Sequence, residues 1–154
     1  MRKVLGVDPG LTATGYAVVA EVGGEFRLLA QGTVRTNGAN PLPERLTKIH
    51  GALAQVVAAW DPEALVLEEV YLARNAPSAM YTAQVCGVVL LLARGRRVLT
   101  YAPRAVKRRV CGNGGAPKDQ MVRMITHLLG EKPATDHAAD AAALALCALL
   151  EEGG

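Results

Sequence analysis

The chain opens on a short apolar run, Val4-Leu5-Gly6-Val7, closed by a carboxylate, Asp8, and by the turn Asp8-Pro9-Gly10. That length and punctuation predict a buried strand over residues 3–8. A second strand is predicted from Thr14 to Ala20 and a third from Phe26 to Thr36, parted by Gly23-Gly24 and closed by Asn37-Gly38. Links this short predict an antiparallel meander. From Pro41 to Trp60 the period lengthens, and Leu42, Leu46, Ile49, Leu53, Val56 and Val57 fall on one side of a helix. Asp61-Pro62 stops it. Ala64-Leu65-Val66-Leu67 is then continuously apolar, as in a strand buried on both faces, and it too ends on a carboxylate, Glu68.

The second half alternates. A loop from Glu69 to Pro77 leads into a helix from about Ser78 to Arg94 that is apolar nearly all round, with Met80, Val85, Val88, Val89, Leu91 and Leu92. Such a helix needs cover on both sides, so part of it should pack on the sheet and the rest should form a dimer interface. A fifth strand is predicted from Arg97 to Tyr101, and helices from Pro103 to Cys111, Pro117 to Leu129 and Asp136 to Glu151. Gly112-Asn113-Gly114-Gly115 should be a mobile loop. A meander followed by alternating helices and strands predicts an α/β fold, a five-stranded mixed sheet flanked by helices, in one domain over residues 1–154. With right-handed crossovers the parallel strands lie beside the first, which puts Asp8 and Glu68 at neighbouring strand ends. Asp136 is placed to cap the last helix, and His137 and Asp140, three residues apart, share one of its faces.

Composition narrows the class. With 51% hydrophobic and 20% charged residues among 154, the chain has the balance of an ordinary folded protein. The apolar run after Met1-Arg2-Lys3 is cut at Asp8, too early for a signal peptide, and no run approaches the ~20 residues of a membrane span. A cytoplasmic location is expected, without membrane contact. Cys86, Cys111 and Cys147 have no ligand-like spacing and read as reduced thiols. The net charge of +3 is modest but unevenly spread. Arg94, Arg96, Arg97, Arg104, Lys107, Arg108, Arg109, Lys118 and Arg123 stand against Asp119 alone, whereas acids dominate from Glu131 onward. A basic middle beside an acidic cluster suits a polyanion held by cations and processed at metal-bound carboxylates.

A carboxylate at the end of a buried strand is costly unless a cation or hydrogen-bond partner compensates it. Three distant segments deliver Asp8, Glu68 and the pair His137 and Asp140, so a converging metal site is the economical reading. Phosphodiester hydrolysis needs an activated water and a stabilised leaving oxygen, and two divalent cations about 4 Å apart can serve both. Mg²⁺ prefers oxygen ligands, which makes carboxylates the required side chains. Asp8, on a central strand, is the best placed to bridge two ions.

Leu5-Gly6-Val7-Asp8-Pro9-Gly10 with Thr14-Gly15-Tyr16, Leu67-Glu68-Glu69-Val70-Tyr71, Arg74-Asn75-Ala76 with Ser78-Ala79, Val106-Lys107-Arg108, Gly112-Asn113-Gly114, Lys118 and Ala138-Ala139-Asp140-Ala141 occur in this order. In these motifs the chain resembles the crossover junction endodeoxyribonuclease family RuvC, within the ribonuclease H-like nucleases, over almost its whole length. The resemblance implies a homodimeric Holliday junction resolvase that nicks four-way DNA junctions symmetrically, and cooperation with the RuvA–RuvB branch-migration complex. It implies metal ligands, and catalytic residues, at Asp8, Glu68 and Asp140. The fourth position, commonly aspartate in the family, is His137 here. An imidazole can bind a metal or take a proton from water, and as a softer ligand it favours Mn²⁺ alongside Mg²⁺. Asp136 is the competing fourth carboxylate. Tyr71 matches a position thought to stack on junction bases, while Arg74, Asn75, Lys107 and Lys118 match DNA-contacting positions.

Two other readings compete. A junction-binding module without catalysis would follow if His137 spoiled the metal site. An actin-like or sugar-kinase-like phosphotransferase shares the sheet order and an Asp-x-Gly turn, but it needs a second similar domain and a further phosphate loop. Gly112-Asn113-Gly114-Gly115 alone does not supply that loop.

Overall fold

The computed structural model describes residues 1–69 and 76–153. Tyr71, Arg74 and Asn75 lie outside the described residues. The meander is present as strands β1 (Arg2–Asp8), β2 (Ala13–Val22) and β3 (Glu25–Arg35), followed by helix α1 (Leu42–Trp60) and strand β4 (Ala64–Glu68). Helix α2 (Ala76–Leu92) and strand β5 (Arg97–Tyr101) come next, then helices α3 (Pro103–Cys111), α4 (Lys118–Leu129) and α5 (Asp136–Gly153). The sheet order is β3-β2-β1-β4-β5, with β1 antiparallel to β2 and parallel to β4. This is the five-stranded mixed α/β sheet expected from the sequence.

Side-chain alternation sorts the sheet into two cores. Leu5, Val7, Val18, Leu65 and Leu67 face α1 and α2, where they meet Ile49, Leu53, Val85 and Val89. Val4, Ala17, Val19, Ala64 and Val66 face the other way, onto α3, α4 and α5. Because side chains alternate with a period of two, Asp8 follows Val4 and Gly6 onto the α5 face, and Glu68 follows Ala64 and Val66 onto the same face.

α5 is the central helix of that layer. Every residue from Ala138 to Leu149 except Asp140 is buried, and seven of these are alanines. Two glycines let its backbone touch the sheet. A Cβ on Gly6 would lie 2.0 Å from the Ala141 carbonyl oxygen, and one on Gly15 would lie 2.2 Å from that of His137.

Three local expectations are revised. Asp136 does not cap α5: the Ala138 N–H donates to Thr135 Oγ1 at 3.0 Å, and the Ala139 N–H donates to the Thr135 carbonyl. Thr135 is thus the cap, with Asp136 in the first turn, where its charge still suits the helix dipole. Residues 112–115 form a held turn instead of a loose loop. Gly112 ends α3 at φ +77°, and Asn113 accepts the Gly115 N–H through Oδ1 and the Ala116 N–H through its carbonyl. α2 ends at Leu92, two residues early, and the chain reverses through Gly95 at φ +80°. The three cysteines are unpaired, and burial pushes the Cys147 thiol up to about 11.

Candidate active site

In the parallel pairing of β1 with β4, Val7 stands opposite Leu67, so the next residues, Asp8 and Glu68, leave adjacent strands at the same level and on the same face. Neighbouring strands are ~4.8 Å apart, close enough for two carboxylates to feel each other strongly. Gly15, opposite Asp8 on β2, gives the start of α5 room to settle beside them. The segment before α5 is tied to the edge strand: the Ala134 N–H donates to Gln31 Oε1 at 2.8 Å, and Thr33 and Thr135 join hydroxyls at 2.9 Å.

α5 then delivers the remaining groups. His137 Nδ1 lies 3.5 Å from Asp8 Oδ2. Asp140 Oδ2 lies 3.5 Å from Lys118 Nζ, at the first residue of α4. Asp8, Glu68 and Asp140 line one cleft of about 290 Å³ together with Lys107 and Lys118, over an apolar floor that includes Val106, Ile125 and Leu144. His137 stands at its rim through the contact with Asp8. The structure therefore brings Asp8, Glu68, His137, Asp140, Lys107 and Lys118 into one neighbourhood. Asp136 stays exposed and acts on the cluster as a like charge that raises Asp140.

Burial sets the electrostatics, and like charge adds to it. Burial and the Asp140 charge hold the Asp8 carboxyl above its ordinary range, against the opposing pull of His137 and Lys118. Glu68 is raised by burial and by Asp8 and Asp140, with Lys107 opposing. Asp140 is raised by burial despite its contact with Lys118. Three carboxylates held in their less favourable charge state are poised for a cation.

The donor set, three carboxylates and one imidazole, fits a hard or borderline divalent ion. Among the described residues no three acidic, His or Cys side chains are already drawn together as a closed cage. Asp140 is tied to Lys118 instead, and Asp8 to His137.

Sequence reasoning missed the two glycines and Thr135, which position α5. The signal lay in Gly6 and Gly15, each on a predicted strand beside the acidic cluster, and in a threonine just before Asp136. It also missed the Lys118–Asp140 pairing, for which the sequence carries no signal.

Comparison with known proteins agrees with this geometry. The family model of the crossover junction endodeoxyribonuclease RuvC matches residues 4–148. A relative from Parvibaculum lavamentivorans named crossover junction endodeoxyribonuclease RuvC is 42% identical over 146 residues, covering 93% of this chain and 83% of its own. One of the same name from Thermomicrobium roseum is 43% identical over 149 residues, covering 94% and 91%. Thermus thermophilus RuvC, solved in complex with a Holliday junction substrate, superposes with a TM-score of 0.93 at 35% identity, covering 99% of this chain and 95% of its own. The chain thus belongs to the crossover junction endodeoxyribonuclease family RuvC and is an endonuclease of that divalent-metal-dependent kind.

Proposed function

We propose that the chain is a homodimeric Holliday junction resolvase that makes paired nicks in four-way DNA junctions, with Asp8, Glu68, His137 and Asp140 as its metal-binding and catalytic residues. The observation that carries this reading is the level placement of Asp8 and Glu68 on adjacent parallel strands, with Asp140 of α5 lining the same cleft. The activity expected of a family member comes from its homologues, and the solved relative was captured on its junction substrate.

Two Mg²⁺ ions, when bound, would supply an activated water and a stabilised leaving oxygen. Asp8, Glu68 and Asp140, which line one cleft, would hold these ions. His137 holds the Asp8 carboxylate through Nδ1 and either completes the ligand set or accepts the proton of the attacking water. With imidazole in the fourth position Mn²⁺ also supports the reaction. Lys107 and Lys118, which line the same cleft, bind phosphates of the cleaved strand. Tyr71 stacks on an unpaired base and Arg74 and Asn75 hold the backbone beside it, as the family pattern implies.

The dimer reading is supported by α2. Val85 and Val89 are buried against α1 and the sheet, yet Met80, Leu90 and Leu91 are exposed, Leu91 by 72%. A two-fold junction needs two sites related by a two-fold axis, and a self-complementary helix face supplies one. The residues form one nuclease domain, which works in the cytoplasm with the RuvA–RuvB branch-migration complex. Among the described residues no helix is long and apolar enough to cross a membrane.

The test is a synthetic four-way junction incubated with Mg²⁺ or Mn²⁺, with Asp8→Asn and a linear duplex as controls. Symmetric nicks that vanish with the variant and the duplex are expected. Tight junction binding without nicks in either metal would leave a binding module and remove the catalytic roles given to Glu68, His137 and Asp140.

A further inference from the structure

The acidic cleft is not the only depression at this end of the sheet. Beside His137 a second, open groove of about 550 Å³ is lined by Thr12, Arg35, Arg45, Tyr81, Thr82 and His137, among others, with no acidic side chain among its described lining residues. Its floor is the turn that follows Asp8, from Gly10 to Ala13. The groove therefore begins where the catalytic cluster ends, with His137 at the boundary.

Its two arginines are differently held. Arg45, in the first turns of α1, donates from Nε to Thr36 Oγ1 at 2.9 Å and from Nη2 to Thr12 Oγ1 at 3.4 Å. Thr36 in turn donates to the Leu11 carbonyl, and its N–H to that of Thr12. This fixes the guanidinium against the turn through neutral hydroxyls, with no ion pair among the described residues and most of its five donors unspent. Arg35, at the end of β3, is exposed and meets no carboxylate among the described residues. Neither arginine belongs to the basic stretch from Arg94 to Arg123, which lies elsewhere in the fold.

We propose that this groove is a backbone-binding track for the cleaved DNA strand, in which Arg35 and Arg45 each contact a phosphate on the His137 side of the cut. Lys107 and Lys118 hold the strand on one flank of the acidic cluster, and Arg35 and Arg45 hold it on the other. A strand gripped on both flanks presents its scissile phosphate to Asp8 at a fixed depth, which phosphate contacts on one flank do not achieve. Two cations with no ion pair among the described residues fit a polyanion, and an open groove beside a nuclease site fits its substrate.

The proposal rests on the nuclease reading of the Asp8 cluster, and its test separates the two. The full chain is titrated onto a fluorescent four-way junction in Ca²⁺ across a KCl series, with Arg35→Gln, Arg45→Gln and Arg45→Lys. Arg27→Gln is the control, since Arg27 lies eight residues from Arg35 on β3, about 26 Å away at the far end of the strand. Arg35→Gln and Arg45→Gln should each lower the slope of log affinity against log salt by about 0.9, whereas Arg27→Gln and Arg45→Lys keep it. A neutral methylphosphonate at the contacted phosphate should erase the difference between wild type and the Gln variant. Unchanged slopes for both Gln variants, with wild type binding the junction and Asp8→Asn failing to nick it, would overturn the groove alone. A wild-type chain that bound no junction would overturn the nuclease reading beneath it.

Discussion

Gly6→Ala adds one methyl group to the middle of β1 and tests how α5 is seated. The new Cβ would stand 2.0 Å from the Ala141 carbonyl oxygen, 3.0 Å from its carbon and 3.1 Å from the Ala145 nitrogen. All three are backbone atoms of a buried helix, so no side chain can swing aside. Ordinary contact begins near 3.4 Å, and relief requires α5 to retreat by about 1.4 Å from the sheet. Overpacking of this kind costs ~1–3 kcal/mol, with this contact at the upper end, because retreat also opens gaps along the alanine seam. At ~2–4 °C per kcal/mol for a chain of this size, the melting temperature should fall by about 6–12 °C. The same movement carries His137 and Asp140 away from Asp8, and a misplacement of about 1 Å can cost ~100-fold in rate. Gly51→Ala is the matched control: Gly51 lies in α1 with open space around it, so alanine should stabilise by ~0.5–1 kcal/mol. Thermal unfolding and junction nicking are measured on both variants. A Gly6→Ala chain that melts and nicks like wild type would show that α5 does not depend on this close approach.

Three other outcomes are expected. Asp8, Glu68 and Asp140 have native pKa values above their ordinary ones, so the folded chain retains protons that the unfolded chain has released. Without metal, stability should therefore fall as pH rises from about 4 through the raised native values and then level off; Asp8→Asn should flatten that fall in urea titrations in EDTA, and an equal slope in both proteins would refute it. His137→Asp should retain nicking and move metal preference from Mn²⁺ towards Mg²⁺, with loss of cleavage in a folded variant as the contrary result. Leu91→Glu, on the most exposed large apolar side chain of α2, should give a monomer by sedimentation and abolish paired nicking; a variant that still dimerises would place the interface elsewhere.

The sheet order was legible because each strand carries its own sign. Val4-Leu5-Gly6-Val7 and Ala64-Leu65-Val66-Leu67 are short, continuous and closed by acids, and their link through α1 is long enough for a parallel crossover. Period-two alternation then fixes which face Asp8 and Glu68 must share. What the pattern could not convey was tertiary. That α5 touches β1 and β2 backbone to backbone depends on the absence of two side chains, and an absent side chain leaves no periodic mark. The choice of Thr135 over Asp136 as cap turned on a single residue, at a boundary where both types are good caps. The Arg35 and Arg45 groove was missed because its residues come from a strand end and a helix start, outside the basic stretch that dominated the charge pattern.

Seating and electrostatics are two sides of one arrangement. Small residues along α5 and the two glycines seat Asp140 in the half-buried cleft with Asp8 and Glu68; burial there raises all three carboxyls, and neighbouring acids of the cluster add to it at Asp8 and Glu68. The compensating contacts within the chain are weak ones: Lys118 with Asp140 and His137 with Asp8 are both at 3.5 Å, and the lysine is 57% exposed. An exposed pair at that distance contributes little and exchanges readily for a better partner. A chain that neutralised its own acids firmly would hold them against a cation, and one with looser packing would not need the cation. Tight packing with loose pairing thus leaves the half-buried carboxylates only weakly compensated by the described residues, which is the condition that the proposed metal site requires.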